Sequence, residues 1–164
     1  MSKVFLGGTC AETVWREKLI SMLRINYFNP VVDDWTEECI ERELYEREHC
    51  DYCLYVITPS MQGVYSIAEV VDDSNKKPNK TIFCVLEKDI CREDFTSFNS
   101  IVSLVLQNKY KSIPSENSSF SKQQLKSLEQ VGKMVERNGG NYFKSLEEVA
   151  NYLNNNKGGE LNGR

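Results

Sequence analysis

The chain has 164 residues, of which 40% are hydrophobic and 27% are charged, and its formal net charge is −4 at pH 7. These values fit one globular domain with its own core and exclude a disordered chain. The acidic balance gives no electrostatic basis for binding nucleic acid, and no apolar run approaches the ~18–20 residues that span a bilayer. A strand pattern begins at once, with no signal-peptide pattern before it. We therefore expect a cytoplasmic protein with no nucleic-acid or membrane partner.

The first half of the chain alternates strand patterns with helix patterns. Short apolar runs predict strands, and apolar residues spaced three to four apart predict helices between them. The predicted strands are residues 3–8, 27–32, 51–58 and 81–86, and the helices between them end near residues 23, 49 and 75. The third and fourth strands are apolar throughout, as strands covered on both faces are. This alternation predicts a parallel sheet and an α/β fold.

The pattern weakens after Glu87. The predicted elements beyond it are a helix at 98–106, a polar loop at 115–119, a helix at 122–138, a short fifth strand at 139–143 and a helix at 145–154. Ser145 and Glu148 have the spacing of a capping box at the start of the last helix. We expect a single domain over residues 1–155 and a frayed tail over residues 156–164.

The chain contains six cysteines, and Cys50 and Cys53 match the pattern C-x-x-C. This pattern suggests zinc or redox chemistry, but a second ligand pair is missing and the single histidine, His49, is adjacent. Reduced cysteines packed in the interior are the preferred interpretation. We predict no metal and no cofactor.

The candidate site lies where a glycine-containing turn follows the third strand and leads into a helix that carries Glu69. Open α/β sheets place their ligands at the carboxyl ends of the strands. The loops after the first and second strands reach the same edge of the sheet, and Glu43 lies on the second helix. Glycines allow close approach of a ligand, and carboxylates accept hydrogen bonds from sugar hydroxyls or act as nucleophiles. The candidate residues are Gly7, Gly8, Thr9, Asp33, Asp34, Trp35, Glu43, Gly63, Tyr65, Ser66 and Glu69.

Each candidate also has a purely structural interpretation, which the pattern leaves open. Ser66 and Glu69 have capping-box spacing, so Glu69 would then bind only a helix amide. Thr9 and Glu12 have the same spacing before the first helix. The glycine pair is too short for a dinucleotide-binding fingerprint, and Glu43 belongs to a charged helix whose default is a solvated face.

Five segments of the first 90 residues, taken together and in order, resemble the nucleoside 2-deoxyribosyltransferase-like family, in a divergent branch of bacteria and their viruses. The segments are VFLGGT (4–9), WR (15–16), FNPVVDDW (28–35), DYCLYVIT (51–58) and GVYSIAE (63–69). The resemblance implies a flavodoxin-like, Rossmann-like three-layer fold with a parallel sheet of about five strands. It also implies cleavage or transfer at the N-glycosidic bond of a deoxynucleoside or nucleotide. Relatives complete their sites with a neighbouring subunit, which implies a homo-oligomer.

The resemblance assigns roles to particular residues. Glu69 matches the glutamate that attacks C1′ of the sugar, and Glu43 falls where an acid manages the proton of the departing base. Asp33, Asp34 and Trp35 fall in the loop that lines the base site. Three positions depart from the family. Glu43 stands where the family usually has aspartate. Phe5 stands where a tyrosine hydroxyl orients the nucleophile, and Gly63 stands near a serine that binds a 5′-phosphate in nucleotide-hydrolysing relatives.

Three other functions remain open from the sequence. The same carboxylates suit hydrolysis of NAD or another adenine nucleotide. Phe5, which lacks the hydroxyl, favours a non-catalytic module that binds or sequesters a nucleotide. A redox or zinc protein built on Cys50 and Cys53 is the third alternative.

Overall fold

The structure is a computed structural model that describes residues 1–10, 13–32, 36–90 and 118–156. Several sequence-based predictions lie outside the described residues and stay predictions. They are the placement of Asp33, Asp34 and Trp35, the helix at 98–106, most of the polar loop at 115–119, and the tail beyond residue 156.

The described residues form five strands and five α-helices that alternate along the chain. In order they are β1 (Lys3–Gly8), α1 (Trp15–Met22), β2 (Asn26–Phe28), α2 (Glu37–His49), β3 (Tyr52–Ile57), α3 (Tyr65–Lys76), β4 (Thr81–Val85), α4 (Lys122–Arg137), β5 (Asn141–Phe143) and α5 (Leu146–Asn155), with a 3₁₀ turn at Pro78–Lys80 before β4. None of these helices has the length and apolar character that crossing a membrane requires.

All neighbouring strands are parallel, and the sheet has the order β2-β1-β3-β4-β5. The register pairs Gly8 at the end of β1 with Val56 in β3, and Ile57 with Val85 in β4. The predicted parallel α/β fold is therefore confirmed, with the strand order of flavodoxin-like proteins.

Alternate side chains of the central strands enter two separate cores. Val4, Leu54 and Ile82 face one core, which α1 and α5 cover. Phe5, Tyr55 and Phe83 face the other, which α3 and α4 cover. Strand side chains alternate between the two faces of a sheet, so the nearly unbroken apolar sequence of β3 follows from having helices on both sides. This gives the three layers that were expected.

Helix α2 differs from the other long helices because none of its residues is fully buried. Its contacts with the rest of the molecule include ion pairs of Glu46 with Lys3 and of Arg47 with Asp73. Arg42 lies over the ring of Phe28, 5.4 Å from its centre. Some of the charged residues of α2 therefore attach this helix to the rest of the domain.

Helix starts were predicted with mixed success. The capping box of Ser145 and Glu148 is present as expected, and Ser121 and Gln124 form a second one. The proposed box that starts at Thr9 is wrong, because α1 begins at Trp15 and has no side-chain cap. The Thr9 hydroxyl instead accepts a hydrogen bond of 3.0 Å from the amide of Thr58, across the edge of the sheet. The second predicted strand also ends early, at Phe28 rather than at residue 32.

Asp89 joins three loops at the carboxyl edge of the sheet. Its side chain is buried and accepts hydrogen bonds of 2.9 Å from the hydroxyl of Thr13 and 3.0 Å from the hydroxyl of Thr58. The backbone amides of Ser60 and Ile90 donate to the same carboxylate, at 3.0 and 3.1 Å. The loops after β1, β3 and β4 therefore share one buried acceptor.

Replacing this acceptor should cost stability. We expect Asp89→Asn to lower the free energy of unfolding by about 1–3 kcal/mol, because an amide nitrogen would face buried N–H and O–H donors that need an acceptor. Urea denaturation of purified protein measures the change. Glu87→Gln is the matched control, since Glu87 is exposed in the same loop. Equal stability of the two variants would contradict the role of Asp89 as the shared acceptor.

The glycine pair gives a second stability prediction. Gly8 has φ of +111°, and a Cβ atom there would lie 2.1 Å from the carbonyl oxygen of Val56. Gly63 has open space around it. We expect Gly8→Ala to destabilise the protein by about 3 kcal/mol or more, while Gly63→Ala changes stability by less than about 0.5 kcal/mol. Thermal and urea unfolding of the pair, side by side, tests this, and a tolerated Gly8→Ala would disprove the close approach.

Candidate functional site

The candidate site lies where the direction of strand addition reverses. The chain passes from β1 outward to β2, then returns to β3 on the other side of β1 and continues to β4 and β5. Helix α1 leaves β1 toward one face of the sheet, and α3 leaves β3 toward the other. Such a reversal opens a crevice at the carboxyl ends of the two central strands, where α/β proteins bind ligands.

The glycine pair ends β1 at this crevice. A Cβ atom on Gly7 would lie 2.9 Å from ring atoms of both Phe5 and Tyr55, and one on Gly8 would collide with the backbone of Val56. Both positions therefore require glycine for packing against the protein itself. Phe5 is fully buried, and its ring stacks on Phe28 with centres 6.0 Å apart.

Trp15 and Arg16 hold the loop that follows the glycine pair. The indole N–H of Trp15 donates to the carbonyl of Thr9 at 2.9 Å. The guanidinium of Arg16 donates to the same carbonyl at 2.7 Å and to that of Leu6 at 3.0 Å. Trp15 is a core residue, and Arg16 is a buried cation to which the sequence analysis gave no role.

A cleft of about 210 Å³ opens between the loop after β1 and the start of α3. Five of the predicted site residues line it together, namely Gly8, Thr9, Gly63, Tyr65 and Ser66. Tyr65 is 73% exposed, so its ring is available to a ligand. Nothing lies within 4 Å of the position where a Cβ of Gly63 would stand, so that residue is not required for close packing.

A second cleft, of about 370 Å³, lies farther along the same edge of the sheet, between the loop after β4 and the start of α5. It is larger, but neither Glu69 nor Glu43 belongs to the elements that form it. The smaller cleft includes the first residues of α3, the helix that carries Glu69 one turn further on. We therefore place the candidate site at the smaller cleft.

Glu69 does not cap its helix. Helix α3 begins at Tyr65 with Val64 as its cap and has no side-chain capping bond. The side chain of Glu69 is only 11% exposed, and its Oε1 atom forms an ion pair of 2.9 Å with Nη1 of Arg47. The capping-box interpretation of Ser66 and Glu69 is therefore wrong, and the carboxylate is directed across to α2.

Arg47 also binds Asp73, which lies one turn after Glu69. Its Nε and Nη2 atoms donate to the two oxygens of Asp73 at 3.0 and 2.8 Å. The hydroxyl of Tyr55, from the fully buried face of β3, donates to the same carboxylate. Sequence reasoning missed these three residues. The one sequence signal for them was an acid at position 73, on the apolar face of an amphipathic helix.

Burial and charge together set the state of the two predicted catalytic acids. Burial raises the pKa of the Glu69 carboxyl, Arg47 opposes the rise, and the charges of Glu43 and Asp73 add to it. Burial also raises the pKa of Glu43, against the charges of Arg16 and Arg47. Each acid is therefore close enough to Arg47 to be influenced by it, and Glu43 influences Glu69 directly.

The two acids differ in their partners. Glu69 has a charged hydrogen-bond donor on one oxygen, whereas no residue in the described ranges donates a hydrogen bond to the carboxylate of Glu43. A charged hydrogen-bond donor stabilises the ionised form of a carboxyl, whereas burial favours the protonated form. The two acids thus differ in one respect: Glu69 receives a charged donor that stabilises its anion, while burial raises the pKa of both.

The C-x-x-C pair has structural partners. The thiol of Cys53 donates to the carbonyl of Arg47 at 3.0 Å, and that of Cys50 lies 3.6 Å from a carboxylate oxygen of Glu46. Burial raises the pKa of Cys50 to about 12 and that of Cys53 to about 11, so both are protonated at neutral pH. Among the residues with described positions, no cluster of His, Cys, Asp and Glu has the arrangement of a metal site.

The family match covers the part of the chain that builds this site. The family described as "Nucleoside 2-deoxyribosyltransferase like" matches residues 1–88, which is more than half of the 164-residue chain. Comparisons with curated proteins and with solved structures gave no significant match. The matched range contains β1 to β4, the glycine pair, Glu43 and Glu69. The chain therefore belongs to the nucleoside 2-deoxyribosyltransferase-like family.

Proposed function

We propose that this protein cleaves or transfers the N-glycosidic bond of a (deoxy)nucleoside or nucleotide, with Glu69 as the nucleophile. The observation that carries the proposal is the state of Glu69: a largely buried carboxylate, directed by an arginine instead of being used as a helix cap. Glu69 follows, one helical turn later, the residues of α3 that line a cleft at the carboxyl edge of the sheet, although it is not itself one of the lining residues. A covalent nucleophile needs an ionised carboxylate held in a fixed direction.

The chemistry divides between the two acids. A carboxylate oxygen of Glu69 forms a bond to C1′ as the bond from C1′ to the base nitrogen breaks, and the electron pair of that bond goes to the base. Glu43 donates a proton to the departing base, for which a raised pKa is suited. Water or a second base then attacks C1′, gives its proton to Glu43, and displaces the Glu69 carboxylate. Two displacements at C1′ retain its configuration.

The loops supply binding groups in this scheme. Gly8, Thr9 and Gly63 form the wall of the cleft, and Tyr65 and Ser66 offer a ring and a hydroxyl at the start of α3. Gly7 and Phe5, which pack against each other next to Gly8, are proposed to shape the site from inside the sheet. Asp33, Asp34 and Trp35 are assigned to the base by the family resemblance. Completion of the site by a second copy of the chain belongs to the same proposal.

A non-catalytic nucleotide-binding module is the second candidate. The observation in its favour is Phe5, which is fully buried among aromatic rings and has no hydroxyl to present to Glu69. Such a module would bind a nucleotide without turnover, and its affinity would not depend on the charge of Glu69. The experiments on Glu69 and Glu43 separate the two candidates.

Removing the nucleophile should abolish turnover without unfolding the protein. We expect Glu69→Ala to lower the rate of base release at least ~10³-fold, because the covalent route is lost. Chromatography of deoxynucleosides, their monophosphates, ribonucleosides and NAD, with and without a free acceptor base, measures release and exchange. Glu41→Gln, on the exposed side of α2, serves as the control.

Full activity of Glu69→Ala would refute the mechanism. No turnover of the parent protein on the whole panel, together with nucleotide binding that is equal in both proteins, would establish the binding module instead. Mass spectrometry of acid-quenched protein adds a direct test, since a deoxyribosyl adduct should appear on the peptide that contains Glu69.

Glu43 should control the alkaline side of the pH profile. The rate requires ionised Glu69 and protonated Glu43, so it falls as pH drops below the pKa of Glu69 and as pH rises above that of Glu43. Both pKa values are raised by burial, which moves both sides of the profile upward from ordinary carboxyl values. We expect Glu43→Gln to lose about 10²–10⁴-fold in rate and to lose the alkaline decline that Glu43 causes.

A leaving group that needs no proton isolates the role of Glu43. A 4-nitrophenyl deoxyriboside departs as a stable anion, so Glu43→Gln should cleave it nearly as fast as the parent protein does. Glu69→Ala should remain inactive on the same substrate. An equal loss on both kinds of leaving group would show that Glu43 does not act as the acid.

A further inference from the structure

We propose that Arg47 is the positioning residue for Glu69, locked in place by Asp73 and Tyr55 so that one carboxylate oxygen is held and the other is left for C1′. This inference rests on the proposed function, and it adds an arginine, a third acid and a tyrosine to the machinery. The four side chains come from three elements: α2 supplies Arg47, β3 supplies Tyr55, and α3 supplies Asp73 and Glu69.

The guanidinium of Arg47 has one orientation in this arrangement. Its Nε and Nη2 atoms meet the two oxygens of Asp73 at 3.0 and 2.8 Å, which is the fork-to-fork geometry of a bidentate pair. The remaining edge then faces Glu69, with Nη1 at 2.9 Å from Oε1. Nη2 also lies 3.3 Å from the backbone carbonyl of Glu69. These four contacts fix the plane of the Arg47 guanidinium, so the carboxylate of Glu69 receives a hydrogen bond from a fixed direction.

Asp73 is itself held, so the lock does not depend on Arg47 alone. Its side chain is only 3% exposed and accepts a hydrogen bond from the phenol of Tyr55 as well as the two from Arg47. Burial and the charge of Asp73 raise the pKa of Tyr55, so its phenol stays neutral and remains a donor. Lys77 lies 3.6 Å from the same carboxylate. The acid therefore has both the charge balance and the donors that a buried carboxylate requires.

The backbone of Arg47 is anchored at the same place. Its carbonyl accepts a hydrogen bond of 2.8 Å from Nζ of Lys77 and one of 3.0 Å from the thiol of Cys53. These contacts attach the last turn of α2 to β3 and to the end of α3. They also give Cys53 a function in this network that is neither redox nor metal binding.

This geometry suits both steps of a double displacement. In the first step, the pairing with Arg47 stabilises the ionised form of Glu69 and so opposes the burial that raises its pKa. No hydrogen bond from the described residues reaches Oε2 of Glu69, so that oxygen is available to form the bond to C1′. In the second step the C1′–O bond breaks and its electron pair returns to Glu69. Arg47 then stabilises the departing carboxylate without moving, since Asp73 holds it throughout.

The charged groups around Glu69 set the expected pH response. Arg47 and Glu43 face it from α2, Asp73 faces it from α3, and the neutral phenol of Tyr55 lies behind Asp73 on β3. Of these, only Arg47 lowers the pKa of Glu69. Removing its charge should therefore raise that pKa and move the acidic side of the rate profile to higher pH.

The test compares Arg47→Lys and Arg47→Met with the parent protein. Arg47→Met should move the acidic limb of the kcat profile upward by about one pH unit or more and lower kcat at least about tenfold, with KM little changed. Arg47→Lys keeps the positive charge but cannot form the bidentate pair, so kcat should fall while the acidic limb of the pH profile shifts less than in Arg47→Met. Arg42→Lys and Arg42→Met are the matched controls on the same helix, where Arg42 is exposed.

A second readout does not depend on activity. NMR of protein with ¹³C-labelled glutamate carboxyls gives the pKa of Glu69 directly, with Glu69→Gln used to assign its signal. If Arg47→Met unfolds because Asp73 loses its partner, Arg47→Lys with Tyr55→Phe still tests the network. Tyr55→Phe should lower kcat by loosening Asp73 while leaving the charge of Arg47 in place.

The outcomes separate this inference from the proposed function. If the parent protein has no glycosyl activity but the pKa of Glu69 is higher in Arg47→Met than in the parent, the positioning role would be supported and the proposed reaction ruled out. Activity that depends on Glu69 but keeps its pH profile and kcat in both Arg47 variants would overturn the positioning role alone. If the Arg47 variants only reduce the amount of folded protein and kcat per folded molecule is unchanged, the positioning role is also overturned.

Discussion

The bidentate pair of Arg47 and Asp73 is the interaction on which the candidate site depends. It joins α2 to α3, and it is almost fully removed from water, with side-chain exposures of 13% and 3%. Taking two charges out of water costs about as much as their attraction returns, so such a pair is weak evidence for stability. What it provides is a defined direction. A hydrophobic pair of the same size would join the helices equally well but would present no donor to Glu69.

The docking of α2 follows from the same constraint. Because none of its residues is fully buried, α2 cannot be held mainly by the burial of apolar area. Its position depends on directional contacts at its last turns: Glu46 with Lys3, Arg47 with Asp73 and Glu69, and the Arg47 carbonyl with Lys77 and Cys53. Glu43 lies one turn before Arg47 on this helix, so the contacts that hold Glu69 also set the distance between the two acids.

The sequence predicted the parts of the structure that local pattern determines. The parallel sheet follows from alternating apolar runs, and the cap at Ser145 follows from a serine and a glutamate three apart. The same spacing failed at Ser66, because Arg47 competes for Glu69 with a charge-assisted contact that no amide of α3 matches. Partners 22 and 26 positions away leave no local signal, so Arg47 looked like one more charge on a solvated helix. The family resemblance located Glu69 and Glu43 but did not indicate what holds them.

One guanidinium thereby distinguishes two otherwise similar glutamates. Both are partly buried, and burial raises the pKa of both. Only Glu69 receives a hydrogen bond from Arg47, and a contact of that kind stabilises the anion more than a charge at a distance does. Of the two acids, Glu43 is therefore the better place for a proton, and its negative charge when ionised would raise the pKa of Glu69 further. In the proposed mechanism the proton donor and the nucleophile are therefore different residues before any substrate enters, which is the division of roles that breaking a bond between sugar and base requires.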